Sequence, residues 1–234
     1  QSILSQIDLT ELKVISKIPS FDSINLSSEN KVINLIEKSI SHIGISNYHA
    51  LLLHRPQQLL TEDKVKIVKL LDMIRKKNYA TKLGISIYNP VHLNKLLEVY
   101  PFDIVQAPLN ILDNRILHNG YIELLKKRKI EFHARSIFLQ GLLLLSKNSI
   151  PFKENGFQEI FTIWHEWLKI NSLNPIEACM RFMYQIEEVD NIIIGVQSLK
   201  QLKELLKIKN NKISSLPNWP SRIDEKIINP SMWN

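Results

Sequence analysis

The sequence predicts an α/β fold built on a parallel sheet. Short apolar runs rich in β-branched residues alternate along the 234 residues with longer segments of helical periodicity. Because these runs are nearly continuously apolar, they are typical of parallel strands buried on both faces. With 44% hydrophobic residues, the chain can bury a sizeable core, and we expect a single domain over residues 1–234.

Six of the apolar runs are predicted strands. They lie at residues 12–18, 50–54, 83–88, 104–107, 131–137 and 192–196. An eight-stranded barrel needs two more βα units, yet no change in spacing marks the switch point of a doubly wound sheet. We therefore expect a parallel (β/α)8 TIM barrel that is incomplete at its N-terminus, with about six of its eight units in this chain. An open α/β sheet is the alternative.

The helices between the strands have their own patterns. A helix entered near Ser28 is expected to bury a stripe at i, i+3, i+4, i+7 and i+8, formed by Val32, Leu35, Ile36, Ser39 and Ile40. Further helices are predicted over residues 115–128 and 157–173, and residues 213–234 are expected to form an irregular tail.

Two helix starts are marked by an asparagine before a proline. Asn89 precedes Pro90, and Asn174 precedes Pro175, which combines a capping residue with proline at the first helical position. Glu177 stands where a capping box requires an acidic or amide side chain.

Composition restricts the class of protein. Cys179 is the only cysteine, so no internal disulfide can form and we expect a cytoplasmic location. No apolar run approaches the roughly 20 residues of a membrane helix, and we expect no membrane span. The net charge is +7, but the basic residues are scattered without a nucleic-acid motif, so we expect no nucleic-acid partner. The oligomeric state stays open.

Polar residues follow several of the predicted strands. Lys17 ends the first, His54 ends the second, Gln106 lies in the fourth, and residues 195–198 follow the last. Singly, such a lysine is usually a solvated strand end and such a histidine a core residue. Because parallel barrels build their active sites at the carboxyl ends of the strands, the joint arrangement predicts a site.

Other chemistries lack their motifs. The histidines show no metal-ligand spacing and Cys179 has no partner cysteine, so we expect no metal. No glycine-rich dinucleotide motif or Walker motif is present, which counts against Rossmann and P-loop sites. An unrelated barrel hydrolase or lyase is the weakest hypothesis, since no paired strand-end carboxylates are found.

Five segments, in this order along the chain, resemble segments of the aldo-keto reductase family. They are LLLHRP, KLGISIYNP, DIVQAPLNILD, HARSIFLQGLL and IIIGVQSLKQL. The resemblance spans about residues 14–205. It implies a (β/α)8 barrel enzyme that uses NAD(P)H to reduce an aldehyde, ketone or sugar-like carbonyl to an alcohol, with a small molecule as substrate.

The family uses a tetrad of Asp, Tyr, Lys and His, of which Lys17 and His54 match two. The resemblance implies that tyrosine is the general acid, that the lysine, paired with the aspartate, lowers its pKa, and that the histidine orients the carbonyl. No tyrosine of this sequence occupies the matching position, and we expect the Asp and Tyr upstream of Gln1 in a longer protein. The alternative is a non-catalytic barrel of this type, acting as a nucleotide-binding or protein-interaction module.

The resemblance also implies a cofactor site, with NADP expected and NAD possible. Its residues near the nicotinamide, the pyrophosphate and the adenosine phosphate are Ser86, Gln106, Arg135, Ser136, Phe138, Gln140, Gly141, Gly195, Val196, Gln197, Ser198 and Gln201. Ser198 and Gln201 also form an S-x-x-Q capping box, so the helix that begins there is expected to present free amides to an anion.

Four positions depart from the family pattern. Arg135 stands where an aromatic residue often stacks on the nicotinamide, and Ile87 where an asparagine often binds its carboxamide. Gln197 replaces a frequent arginine at the 2′-phosphate, and Leu205 replaces a frequent asparagine near the adenine. A guanidinium can stack as well, but the preference for NADP comes from the family alone.

Overall fold

The computed structural model describes residues 12–19 and 29–233. A sheet of six strands runs through it, with the strands side by side in chain order. The strands are β1 (Ile15–Ile18), β2 (Tyr48–Leu53), β3 (Ala80–Ser86), β4 (Ile104–Pro108), β5 (Glu131–Arg135) and β6 (Asn191–Ile192). Their parallel pairing confirms the α/β class and the six predicted strands.

Helices connect the strands. They are α1 (Glu29–Ile43), α2 (Lys64–Lys76), α3 (Leu93–Val99), α4 (Tyr121–Lys127), α5 (Asn155–Ile170), α6 (Pro175–Tyr184), α7 (Leu199–Leu206) and α8 (Glu225–Ile228). Two helices, α5 and α6, separate β5 from β6, as the sequence predicted. The C-terminal tail is irregular apart from α8 and a 3₁₀ turn at Pro230–Met232. Over the described residues, no helix combines the length and apolarity needed to cross a lipid bilayer.

The predicted inward face of α1 is partly wrong. Val32 and Ile36 are buried as expected, but Ile33 is the third buried residue and Leu35 is 41% exposed. The buried face of α1 is therefore centred nearer to Ile33 than the sequence predicted. Leu35 lies at the edge away from this face and is exposed to solvent.

The capping predictions are confirmed at Asn174, whose side chain accepts a hydrogen bond from the Glu177 amide at 2.9 Å. The Asn89 side chain accepts from the Val91 amide at 3.0 Å, although the turn that it caps is a short 3₁₀ turn ahead of α3.

The predicted helix over residues 115–128 is broken. A 3₁₀ turn at Arg115–Leu117 is separated from α4 by Asn119 and Gly120, whose φ angles are 58° and 73°. Such left-handed backbone conformations end a helix, and asparagine and glycine tolerate them best.

The described residues fall into two compact units. The first runs to Gln106 and includes Glu123–Glu131. On one face of its strands, Ala50, Leu52 and Ile104 form a fully buried cluster against which Ile15 packs. The expectation of a single domain over residues 1–234 stays a prediction.

Gly84 lets the strands of this unit pack closely. A Cβ atom built on it would lie 2.5 Å from both the Ile104 carbonyl oxygen and the Leu52 Cδ2 atom. Since Gly84 pairs in register with Leu52 and Ile104, the two larger side chains fill the space above it.

The second unit contains Ala107–Ile122 and the residues from Phe132 onward. Trp164 is buried at its centre, donates to the Leu143 carbonyl at 3.0 Å, and stacks on Trp167 and Trp219. Trp219 belongs to the tail and donates to the Ile111 carbonyl at 2.9 Å, which ties the tail to the unit.

We expect Gly84→Ala to lower the free energy of unfolding by about 2–3 kcal/mol, because its methyl group meets a backbone carbonyl that cannot move aside. Chemical denaturation monitored by tryptophan fluorescence measures the change. Gly156→Ala is the control: it lies in α5 with its nearest contact 3.8 Å from the added carbon, so it is expected to be neutral or stabilising. Equal losses in the two variants would contradict this account of Gly84.

Candidate active site

Lys17 and His54 lie on the same face of two neighbouring strands. Lys17 pairs with Leu52 in register, and His54 follows two residues after Leu52, so the two-residue alternation of a strand places both on one face. The His54 amide donates to the Ile18 carbonyl at 3.1 Å, which extends the pairing to the end of β2. Both side chains are exposed at the carboxyl edge of the strands.

Ser86 and Gln106 continue this arrangement on β3 and β4. The register pairs them with each other, and each follows by two residues the Gly84–Ile104 pair of the same face. They are buried, with exposed fractions of 2% and 4%. Four predicted site residues of the first unit therefore share one face and one edge of the sheet.

The side chain of Gln106 has unmet hydrogen-bonding capacity. Its Oε1 atom is buried and has no hydrogen-bond partner among the described residues. Buried polar atoms in proteins are nearly always partnered, so this oxygen points to a ligand that donates a hydrogen bond. The carboxamide of a nicotinamide ring is such a donor and fits the residues present. Ile87, where the family often has an asparagine, is fully buried and apolar.

Most of the other predicted cofactor residues line a cleft of about 540 Å³ in the second unit. The cleft brings together Arg135, Ser136, Phe138, Gln140, Gly141, Gly195, Val196, Gln197 and Gln201. Its walls are the loop after β5 and the segment between β6 and α7. Among the described residues that line it, Arg135 is the only cation.

The loop after β5 has an unusual backbone. Ser136, Leu139 and Gln140 have φ angles of 57°, 47° and 54°, a left-handed region that residues with a side chain rarely adopt, and Gly141 follows at 87°. The Leu139 amide donates to the Ser136 carbonyl at 2.8 Å, which closes the first turn. Successive right- and left-handed residues can form concave arrays of amides that bind anions.

Ser198 caps α7 as predicted, but Gln201 acts differently from the expected capping box. The Ser198 hydroxyl accepts from the Gln201 amide at 3.2 Å. The Gln201 side chain accepts from the Gln197 amide at 2.8 Å, one residue before the cap. The cap therefore engages the Gln197 and Gln201 amides, and the expected anion site at the start of α7 stays a prediction.

A polar cluster in the second unit was missed by sequence reasoning. Asp113 is 2% exposed and binds Arg115 through two hydrogen bonds of 2.8 and 2.9 Å. Arg115 also forms an ion pair with Glu225 of α8 at 3.3 Å. Asn110, three residues before Asp113, is fully buried. The only sequence sign was the presence of Asn110 and Asp113 within an otherwise apolar run.

Neither Cys179 nor a cluster of metal-binding side chains forms a further site among the described residues. Burial raises the pKa of the Cys179 thiol, so the reactive thiolate is not formed at neutral pH. Within residues 12–19 and 29–233, no group of three or more His, Cys, Asp or Glu side chains is arranged to hold a metal ion.

The aldo/keto reductase family model matches residues 10–218, which include every site residue predicted from the sequence. The chain belongs to the aldo/keto reductase family. No curated protein matches the chain.

Solved aldo-keto reductases have the same fold. A thermostable aldo-keto reductase in complex with the inhibitor epalrestat is 15% identical, with a TM-score of 0.68 over 91% of this chain and 71% of that one. An aldo-keto reductase from Bacillus halodurans in its holo form is 13% identical, with a TM-score of 0.67 over 87% of this chain and 70% of that one. Together with the parallel sheet, these likenesses support a (β/α)8 barrel, of which the described residues contain six strands.

We expect Arg115→Leu to lower the free energy of unfolding by about 3 kcal/mol, because it leaves the buried Asp113 carboxylate without its partner. Glu225→Gln is the control, since its half-exposed carboxylate contributes less than about 1 kcal/mol. Thermal or urea unfolding measures both variants. If both lose the same small amount, Asp113 and Arg115 do not form the strong pair described here.

Proposed function

We propose that the protein is an NAD(P)H-dependent oxidoreductase that reduces an aldehyde, ketone or sugar-like carbonyl to an alcohol. The observation that carries the proposal is the set of Lys17, His54, Ser86 and Gln106 on one face and one edge of adjacent strands. Membership of the aldo/keto reductase family supports it. We also propose a cytoplasmic location, because the single cysteine is buried and needs no oxidising compartment.

Lys17 and His54 would act on the carbonyl and on its proton donor. The Lys17 ammonium favours the ionised form of a nearby phenol and so lowers its pKa towards neutrality. The His54 imidazole would donate a hydrogen bond to the oxygen on which negative charge develops. The proposal requires a tyrosine and an aspartate from outside residues 1–234 to complete the tetrad.

The cofactor, when bound, supplies the hydride. Ser86 and Gln106 would hold the nicotinamide carboxamide, which gives the Gln106 oxygen a donor. The loop after β5 and the residues at 195–201 would hold the phosphates, with Arg135 as the cation of that cleft. NADP is proposed from the family, with NAD as the alternative because Gln197 supplies no positive charge.

The second candidate is a protein of the same fold whose complete chain has no tetrad tyrosine. Without it, the same barrel would keep a nucleotide site and lose carbonyl reduction, so it would act as a nucleotide-binding or protein-interaction module. Turnover separates the two: a full-length protein that binds NADPH but reduces no member of a carbonyl panel fits the module.

We expect His54→Ala to lower kcat for carbonyl reduction by about 10²–10⁴-fold, the usual contribution of a positioned proton or hydrogen-bond donor. The measurement is NADPH oxidation followed by nicotinamide absorbance with the full-length protein. His42→Ala is the control, because His42 is exposed in the last turn of α1, which leads into the opposite end of β2. Full activity in His54→Ala would remove His54 from the site.

We expect Gln106→Met to weaken NADPH binding by about tenfold while leaving the free protein as stable as before or more so. The methionine fills a similar volume but has no oxygen to accept a hydrogen bond from the carboxamide. It also removes a buried acceptor that has no hydrogen-bond partner among the described residues. Fluorescence titration gives the affinity, and unfolding curves give the stability. Unchanged affinity would contradict the assignment of Gln106 to the nicotinamide.

A further inference from the structure

We propose that Asn110 is the positioning residue that holds the nucleotide-binding loop after β5 in its binding conformation. The inference rests on the proposed function, in which that loop and its cleft hold the cofactor phosphates. Asn110 itself does not line the cleft. It would act through Ser136, the first left-handed residue of the loop.

The side chain of Asn110 continues the sheet where its backbone pairing ends. The Leu109 amide donates to the Arg135 carbonyl at 3.0 Å as a pairing between the two chain segments. One residue later, the Asn110 side-chain amide donates to the next carbonyl, that of Ser136, at 3.0 Å. The side chain thus replaces a backbone donor at the point where the chain turns left-handed.

The Asn110 carboxamide cannot rotate freely, because its oxygen is fixed at the other end. Oδ1 accepts hydrogen bonds from the Leu112 and Asp113 amides at 3.0 and 2.7 Å. The backbone amide of Asn110 donates to the backbone carbonyl of Asp113 at 2.9 Å. The Asp113 side chain is in turn bound by Arg115. Asn110 is fully buried, so water does not compete for these bonds.

The bond to Ser136 bears on the shape of the cleft. A left-handed conformation at a residue with a side chain costs on the order of 1 kcal/mol and persists only when its surroundings impose it. The Ser136 carbonyl is held by two donors, the Asn110 side chain and the Leu139 amide. The Ser136 hydroxyl, in turn, accepts a hydrogen bond from Arg135 Nη1 at 3.2 Å, which orients the cation that lines the cleft.

Asn110→Asp tests the inference selectively. The introduced carboxyl keeps an oxygen for the Leu112 and Asp113 amides but, when ionised, has no hydrogen to donate to Ser136. In the full-length protein we expect the Kd of NADPH, and the KM for NADPH, to rise by about tenfold or more. We expect kcat at saturating NADPH and the KM for the carbonyl to stay within about twofold of the wild type, because binding and not the chemical step is affected.

Asn171→Asp is the matched control. The Asn171 side chain also donates to a backbone carbonyl, that of Trp167, at 2.8 Å, but it does so at the end of α5. The same chemical change there is expected to reduce stability without changing the Kd of NADPH. If Asn110→Asp does not fold, Asn110→Ser is used, since its hydroxyl can accept from the same turn but is too short to reach Ser136.

The outcomes separate the two proposals. A wild type that binds NADPH, combined with unchanged binding in the folded Asn110 variant, overturns the positioning role and leaves the proposed function standing. Equal weakening in the Asn110 and Asn171 variants also overturns it, because the effect is then a general loss of stability. A wild type that binds neither NADPH nor NADH overturns the proposed function and the positioning role with it.

Discussion

The register of the parallel strands is the constraint on which the candidate site depends. Backbone pairing sets Lys17 beside Leu52, Leu52 beside Gly84, and Gly84 beside Ile104. Because side chains alternate every residue, a shift of one residue in any pairing would turn that strand's polar end away from the shared face. The close packing of Leu52 and Ile104 over Gly84 resists such a shift. The apolar residues within the strands therefore fix the positions of the polar residues at the strands' carboxyl ends.

The loop after β5 depends on a different kind of interaction. Its left-handed residues are unfavourable by themselves, and the hydrogen bond from the Asn110 side chain to the Ser136 carbonyl helps to hold the first of them. The Asp113–Arg115 pair extends the same network to Glu225 of the tail. The cleft of the second unit is therefore shaped by polar groups that do not touch it, and the tail is part of their support.

Sequence reasoning succeeded where one local rule governs the structure. The caps at Asn174 and Ser198 follow from side chains that satisfy the first amides of a helix. It failed where two local preferences competed. Asn119 and Gly120 ended the helical pattern of residues 115–128, and the buried side of α1 included Ile33 in place of Leu35.

The sequence alone determined the α/β class, the six strands and the polar residues at their carboxyl ends, because apolar runs and capping residues record burial and hydrogen bonding locally. The tertiary structure decided which of those residues share a face. It also revealed that the Gln106 oxygen has no partner among the described residues and that Asn110 bonds to Ser136. The shared face and the bond from Asn110 to Ser136 both depend on residues 20 or more positions apart in the chain. Such pairings arise only when strands are brought into register.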